Sequence, residues 1–222
     1  IHRLPAAVEE YIYPAMEDCK IDFTLDTGMH ARVVSYSLKP FTLIGATTRA
    51  GLLTGALRSR FGIVHNLRFY DVGELTDILA QAAKKLEGVF VHRDALQTIA
   101  SRSRGTPRIA LRLLRRVRDY ADVRCDGDFS GEVVNAALSL EGIDEVGMDA
   151  LDRAYMETIT NIYEGGPVGV EAVAASMGED AGTLQDVVEP YLLQAGFLAR
   201  TRQGRQITPK GLEWLKIGKN SP

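Results

Sequence analysis

The chain has 222 residues, of which 45% are hydrophobic and 25% are charged, with a formal net charge of −3. That composition is ordinary for a soluble globular protein with room for more than one domain. No apolar run approaches the roughly 20 residues that a membrane span requires, so the sequence predicts no membrane partner. The two cysteines, Cys19 and Cys125, have no metal or redox spacing, and no signal peptide is visible, which together predict a cytoplasmic protein.

Two segments concentrate positive charge in this slightly acidic chain. Of the 26 basic residues, 19 are Arg, the side chain that binds phosphate in a planar, bidentate way. Residues 101–124 hold eight Arg against two Asp, and residues 196–222 hold six Lys or Arg against one Glu. One such cluster is usually a solvated helix face, but two of them point to an anionic partner.

The first part of the chain shows interleaved helix and strand patterns. Apolar spacing predicts a helix over 5–18, which Pro14 should kink or end. Alternating apolar and polar residues predict a β-hairpin over 22–38. A continuous apolar run at 41–46 predicts a buried central strand, and 63–69 predicts another strand. This interleaving favours an α/β layer structure.

After residue 70 the strand pattern fades and helical periodicity replaces it. Residues 73–87 and 93–103 have the spacing of amphipathic helices. Thr106-Pro107 has the residue types of an N-cap and first helical position, and predicts a helix to about residue 121. Ser130 caps a further predicted helix that ends near residue 141. These elements predict a small helical unit.

The last part of the chain has the pattern of a winged-helix domain. After a linker at 142–147 and a helix over 148–163, two short helices flank Gly178-Glu179-Asp180, as in a helix-turn-helix. Two short strands then flank Gln203-Gly204 as a wing, and a helix over 209–217 follows. The second helix of the pair carries two acids and no base, which is poor chemistry for reading bases. The arginine-rich wing is therefore the better DNA-binding candidate.

Three sites have residue types that contact phosphates, although no Gly-rich loop ending in Lys-Ser/Thr occurs in the sequence. Thr48 follows the apolar run 41–46, at the strand end where α/β sheets bind ligands. Arg60 precedes a Phe-Gly turn. Arg108 lies in the first turn of a helix, where a cation opposes the helix dipole, which hints at an anion there. Taken singly, the first two are more simply a strand-ending turn and a basic surface turn.

Four long stretches, in chain order, resemble the RuvB family of ATP-driven motors that migrate Holliday junctions in bacterial recombination. They are IHRLPAAVEEYIYPAMED, FTLIGATTRAGLLTGALRSRFGIV, RGTPRIALRLLRRVRDYA and GGPVGVEAVAASMGED…EPYLLQAGFL. The resemblance implies an α/β plus all-α fold. It places the C-terminal part of a large AAA+ P-loop ATPase domain over 1–70, a small helical lid over 71–142 and a winged-helix domain over 145–222.

The resemblance also implies roles for single residues. Thr48 matches the first sensor, which reads the γ-phosphate, and Arg108 matches the second sensor. Arg60 matches the arginine finger that acts in trans on ATP held by the neighbouring subunit. The residues it places beside the nucleotide are Tyr70, Glu17, Asp18 and Cys19, and the wing residues expected to contact DNA are Arg200, Arg205 and Arg202.

The resemblance implies a homohexameric ring that uses ATP and Mg²⁺ on Holliday junction DNA, in recombination, DNA repair and the SOS response. It implies that the hairpin 22–38 binds a RuvA tetramer, and it allows contact with the RuvC resolvase. Ile1-His2-Arg3 looks like the remainder of an Asp-Glu-Ile-His-Arg motif. The P-loop and the Asp-Glu pair that hold ATP and the metal would then precede Ile1. We therefore expect residues 1–222 alone to lack ATPase activity.

Two other function classes stay open on the residues themselves. An AAA+ clamp-loader-like switch would share the sensors and the lid, but such loaders need no wing. A non-enzymatic winged-helix DNA-binding regulator would need a basic recognition helix, and this sequence has an acidic one. If the wing does not bind DNA, the next candidates are Arg104, Arg112, Arg115 and Arg116.

Overall fold

The structure, a computed structural model, describes residues 1–25, 32–85 and 91–218. By its internal contacts the chain divides into two units, Ile1–Leu67 and Arg68–Pro222. Within the described ranges, none of the helices is long and apolar enough to cross a membrane.

In its described residues, the first unit contains two α-helices and one hairpin. Its elements are α1 (Ala6–Asp18), β1 (Lys20–Leu25), β2 (Arg32–Ser37), a 3₁₀ turn (Ala50–Leu52) and α2 (Gly55–Arg60). The predicted first helix is confirmed, but Pro14 does not end it, because a proline near the end of a helix removes only one backbone donor. The helix ends instead at Cys19, which has a left-handed φ of 52° and donates its backbone N–H to the Pro14 carbonyl.

The hairpin pairs β1 with β2 in antiparallel register from Lys20–Ser37 to Leu25–Arg32. Directly paired residues share a face, so Ile21 and Phe23 lie on the same face as their partners Tyr36 and Val34. The Phe23 ring packs against Tyr11 of α1, with centroids 6.0 Å apart. The predicted hairpin is confirmed, and its turn, 26–31, lies outside the described residues.

The two strands predicted at 41–46 and 63–69 are wrong for this structure, since both segments are irregular. Ile44 is 88% exposed and Leu67 is 96% exposed, so these apolar runs are not buried. A central strand is held by hydrogen bonds to strands on both sides. Among the residues that the structure describes, no strand pairs with either segment.

The second unit begins with four helices around one apolar core. They are α3 (Val72–Ala83), α4 (Arg93–Ser101), α5 (Pro107–Arg124) and α6 (Gly131–Leu140). Leu79, Ile99 and Val117 are fully buried in this core, as the helical spacing predicts. Ser130 caps α6 by accepting the N–H of Val133, as predicted. Thr106 precedes α5, but its hydroxyl donates to the Arg104 carbonyl instead of capping the helix.

The remaining elements form a winged helix with its own core. They are α7 (Ala150–Ile162), α8 (Val170–Met177), α9 (Ala181–Thr183), which continues through a π-helical stretch (Leu184–Val188) into α10 (Glu189–Gln194), then β3 (Leu198–Thr201), β4 (Gly204–Ile207) and α11 (Pro209–Gly218). The core around them includes Tyr155, Leu184 and Leu192. In the wing Arg200 pairs with Arg205, so the turn is Arg202-Gln203, one residue earlier than predicted.

Candidate functional site

The predicted arginine finger, Arg60, is the last residue of α2 and is held by α1. Its Nε lies 2.8 Å from Glu17 Oε1, and its Cζ lies 4.2 Å from the centre of the Tyr13 ring. Its Nη1 donates to the Ala56 carbonyl at 2.9 Å. The side chain is 25% exposed. The structure thus packs this guanidinium against Tyr13 and Glu17 of α1.

Local sequence explains why α2 presents Arg60 at this place. Thr54 caps α2 by accepting the N–H of Leu57, whose side chain is buried. The hydroxyls of Thr54 and Tyr13 both donate to the Glu9 carboxylate, which ties the start of α2 to α1. These two hydrogen bonds lower the pKa of Glu9, and the bond to Glu9 raises the pKa of Tyr13.

The predicted first sensor, Thr48, is exposed in the irregular segment after residue 41. Its neighbour Thr47 makes the polar contacts instead: Thr47 Oγ1 lies 2.7 Å from His2 Nδ1 and accepts the N–H of Arg49 at 3.0 Å. The Ile1 backbone nitrogen donates to the Ala46 carbonyl at 2.9 Å. Sequence reasoning missed the His2–Thr47 pair, since 45 residues separate the two and no motif connects them.

The three residues expected at the nucleotide edge lie at the end of α1. Glu17 contacts Arg60, so the structure brings this predicted contact and the predicted finger together. Asp18 is exposed as the last residue of α1, and Cys19 is a partly exposed free thiol. Their roles toward a nucleotide stay predictions.

In the second unit, Tyr70 and the segment that opens α5 are neighbours. The Tyr70 backbone N–H donates to the Gly105 carbonyl at 2.9 Å. Gly105 has a φ of 67°, and a Cβ added to it would lie 2.7 Å from Phe69 Cβ, so glycine permits this close approach. Arg108, the predicted second sensor, is exposed and has no ion-pair partner among the residues that the structure describes. A free cation in the first turn of α5 suits an incoming anion.

The three predicted wing contacts have different surroundings. Arg205 is only 13% exposed, and its Nε lies 2.8 Å from Oε1 of Glu189, a carboxylate that is itself 2% exposed. Arg200 is 53% exposed and lies 3.2 Å from the other Glu189 oxygen. The Tyr155 hydroxyl donates to Glu189 at 2.9 Å, and burial together with that carboxylate raises the pKa of Tyr155. Arg202, in the wing turn, is exposed and pairs with none of the described carboxylates.

Sequence reasoning missed Glu189, which counted only as one of two acids on the second helix. The residue joins two wing arginines and a tyrosine of α7 in one buried cluster. A long separation hides this cluster from the sequence, because Tyr155 lies 34 positions upstream of its partner.

Of the four arginines named as the next candidates for DNA binding after the wing, one is not accessible to a phosphate. Arg104 is 9% exposed and lies 2.8 Å from Asp149 Oδ2 and 2.5 Å from Asp152 Oδ2. Arg112 and Arg115 are exposed on α5 and pair with none of the described acids. Arg116 lies 3.8 Å from Glu141 at the surface.

Three family models match consecutive parts of the chain. The model described as Holliday junction DNA helicase RuvB P-loop domain matches residues 1–67, the RuvB AAA lid domain matches 70–144, and the RuvB C-terminal winged helix domain matches 145–216. The chain belongs to the RuvB family. This decides against the clamp-loader-like switch and the unrelated winged-helix regulator, because all three matching models are RuvB models.

Solved RuvB structures from Thermotoga maritima match nearly the whole chain. The structure described as the RuvB Holliday junction branch migration motor is 49% identical and has a TM-score of 0.84, over 97% of this chain and 67% of that chain. Two single-substitution mutants of the same protein are 49% identical with TM-scores of 0.86 and 0.87, over 97% of this chain and 67% and 68% of theirs. The predicted fold class, part of an AAA+ ATPase domain with a helical lid and a winged helix, is confirmed.

Membership of the RuvB P-loop ATPase family implies use of a nucleotide and Mg²⁺. The residues present fit the nucleotide better than the metal. Exposed Arg108 suits a phosphate oxygen. Within the described ranges, however, no three His, Cys, Asp or Glu side chains are grouped so that they could hold a metal ion.

Proposed function

We propose that this chain acts as a subunit of a homohexameric, ATP-driven motor that moves Holliday junctions in homologous recombination and DNA repair. The observation that carries the proposal is the series of RuvB matches over 1–67, 70–144 and 145–216, with 49% identity to a RuvB described as a branch migration motor. A cytoplasmic location and a role in the SOS response belong to the same proposal. So does a division into an ATPase part over 1–70, a lid over 71–142 and a DNA-binding head over 145–222.

The proposed division of labour assigns phosphate contacts, and no metal contacts, to this chain. The P-loop and the Asp-Glu pair for Mg²⁺ are placed upstream of Ile1, since the sequence has no such loop and the described residues offer no metal site. ATP, when bound, supplies the phosphoanhydride bond whose hydrolysis drives the motor. We assign to Thr48 a hydroxyl contact with a nucleotide phosphate, and to Arg108 a guanidinium contact with a nucleotide phosphate.

Arg60 is proposed to act on the nucleotide of the neighbouring subunit. Its planar guanidinium is already oriented by Tyr13 and Glu17, so it reaches a partner's phosphate without first being ordered. Such a finger contributes about 10³–10⁵ in rate. A ring is then required, because each site is completed by the next subunit. Glu17 lies beside Arg60, and Asp18 and Cys19 follow Glu17 in the sequence. The backbone N–H of Tyr70 donates to Gly105, three residues before Arg108.

A subunit-mixing experiment tests this function in the full-length protein. Arg60→Ala should abolish ATP turnover while leaving nucleotide binding nearly intact, whereas Arg58→Ala, on the same helix, should keep turnover. Mixing Arg60→Ala with a P-loop variant should restore part of the activity, because a mixed ring contains sites that have both an intact loop and an intact finger. If no mixing ratio restores turnover, Arg60 does not act in trans.

The proposed DNA contacts are the wing arginines, which would hold phosphates and not bases. Arg202 is exposed and pairs with no carboxylate in the described part of the chain, and Arg200 is half exposed, so both can reach a phosphate. The second helix of the helix-turn-helix carries two acids and no base, and one of the acids, Glu189, is buried. A motor that moves along DNA should bind backbone with strong salt dependence and little sequence preference.

The proposed RuvA contact is the apolar face of the hairpin. Tyr36 is 63% exposed, Phe23 47% and Val34 46%, so one face of a two-stranded element presents a row of apolar groups that are about half exposed or more. Exposed apolar rows of this kind mark protein interfaces. The RuvC resolvase is included as a further partner of the complex, without an assigned surface.

A further inference from the structure

The segment 102–108, which connects α4 to α5, contacts three other parts of the second unit. The Gly105 carbonyl accepts the backbone N–H of Tyr70. The Arg102 carbonyl lies against the backbone before α7: a Cβ added to Gly147 would be 2.6 Å from that oxygen. Between these two contacts, the Arg104 side chain enters the winged helix. Arg108, the exposed cation of the proposed second sensor, ends the segment.

The guanidinium of Arg104 binds residues on the winged-helix side of the segment. Its Nε donates to the Gly147 carbonyl at 2.7 Å. Its Nη2 lies 2.8 Å from Asp149 Oδ2 and 2.5 Å from Asp152 Oδ2. Its Cζ lies 5.2 Å from the centre of the Tyr191 ring. A fork of donors that meets two carboxylates and one carbonyl fixes position and angle together.

The two carboxylates are themselves fixed by the start of α7. Asp149 and Asp152 form a reciprocal capping box, in which each side chain accepts the backbone N–H of the other. The Asp152 side chain is 1% exposed, and burial raises its pKa to about 6 although Arg104 acts in the opposite direction. Asp152 therefore depends on Arg104 for its charge compensation, and α7 cannot move from Arg104 without exposing or neutralising that carboxylate.

The backbone of Arg104 is held in an unfavourable conformation to make these contacts. Its φ is 54°, in the left-handed region that residues with a Cβ rarely occupy, and Gly105 follows at 67°. Such strain persists only where the surroundings fix the residue, and it concentrates at functional sites.

We propose that Arg104 is a positioning residue that couples the nucleotide-sensing segment of the lid to the DNA-binding winged helix. Arg108 is the last residue of the segment 102–108, and Tyr70 is hydrogen bonded to it through Gly105. Arg104 binds the same segment to the first turn of α7. When the segment moves, the winged helix should therefore move with it as a rigid body. The coupling's purpose rests on the proposed function, whereas the mechanical link itself does not.

The mechanical link can be measured on the 222-residue chain without nucleotide or DNA. Spin labels at Val123→Cys in α5 and Val187→Cys in the winged helix occupy exposed positions, once Cys19 and Cys125 are replaced by Ser. Pulsed EPR should give one narrow distance distribution for the parent. Arg104→Ala should broaden it, and Arg118→Ala, which removes a surface ion pair of α5, should not.

Asp149→Asn keeps the test decisive even if Arg104→Ala fails to fold. Asn caps a helix as well as Asp, so this variant preserves α7 and removes one of the two carboxylate charges that face Arg104. It should broaden the distribution by a smaller amount. Unchanged distributions in the folded variants would overturn the mechanical link.

The functional readout is the DNA stimulation of ATP turnover in the full-length protein. Arg104→Lys keeps the charge and loses the fork, so it should reduce the DNA-stimulated rate about fivefold or more, with basal turnover and DNA affinity unchanged. A purely structural role predicts equal losses of all three quantities, and that outcome would overturn the coupling. Absence of any turnover in the wild type would contradict the proposed function and leave the EPR result standing.

Discussion

At the residue scale, the wing separates a structural arginine from one that is free to bind DNA. Replacing Arg205 by Ala should lower the free energy of unfolding by about 2 kcal/mol or more, because it removes a close partner of the buried Glu189 carboxylate. Replacing the exposed Arg202 by Ala should change stability by less than about 0.5 kcal/mol. Urea unfolding of both variants checks this difference.

The Arg202 variant also tests DNA binding. Arg202→Ala should weaken binding about equally on unrelated duplexes and flatten the salt slope by about 0.9 in log–log units for a lost phosphate contact. Titration against several random duplexes at two salt concentrations measures both quantities. A loss confined to one preferred sequence would favour base recognition. No loss in Arg202→Ala and none in Arg200→Ala would move the DNA path to Arg112 and Arg115.

These wing environments show what the sequence reveals about a site and what it does not. The pattern predicts a hairpin that carries arginines, and the structure contains it. It does not predict which arginine is buried, because that depends on Glu189 and Tyr155, whose side chains meet only when α7 packs against the helix before the wing. The same holds for Arg104, which lies in a segment with eight Arg and therefore looks like a surface residue. It is buried because it binds Asp149 and Asp152, which lie 45 and 48 positions downstream.

At the element scale, the hairpin offers a test in which its two faces serve as each other's control. Tyr36 lies on the apolar face with Phe23 and Val34, whereas exposed Val33 lies on the opposite face. Tyr36→Ala should weaken binding to RuvA by about tenfold or more, as for an aromatic anchor at an interface. Val33→Ala should leave the affinity unchanged.

Calorimetric titration of RuvA into each hairpin variant measures this difference. DNA binding in the absence of RuvA should stay the same for both, since neither residue belongs to the proposed wing contacts. Equal affinities for the Tyr36 and Val33 variants would place the docking site elsewhere.

Elements that are stabilised locally were predictable, and those that need distant partners were not. The α6 helix carries its own cap at Ser130, and the hairpin β1–β2 forms within one stretch of chain. The apolar run 41–46 reads as a central strand, but a strand requires neighbours, and the structure describes none beside it. A sequence pattern shows which face of a segment is suited to burial. Whether that face is buried depends on whether other elements pack against it.

At the scale of the whole molecule, the first unit exposes apolar segments that a complete α/β layer structure would bury. Ile44, Ile63 and Leu67 are between 75% and 96% exposed, although their runs have the composition of buried strands. We expect upstream residues of the full-length protein, including the P-loop, to cover them. Nucleotide hydrolysis should therefore require those residues, while DNA binding, which is proposed for the separate wing, should not.

This division predicts that residues 1–222 alone bind duplex DNA in a salt-dependent manner and release no phosphate from ATP. Phosphate release is measured with and without junction DNA, beside the full-length protein and a buffer blank, and DNA binding of the same preparation shows that the winged helix is folded. The rate should equal the blank, because Arg60, Thr48 and Arg108 have no P-loop in this sequence to hold a triphosphate for them. Turnover above the blank that Arg60→Ala abolishes would show that this chain holds ATP by other residues, and the placement of the P-loop upstream of Ile1 would then no longer explain the motor.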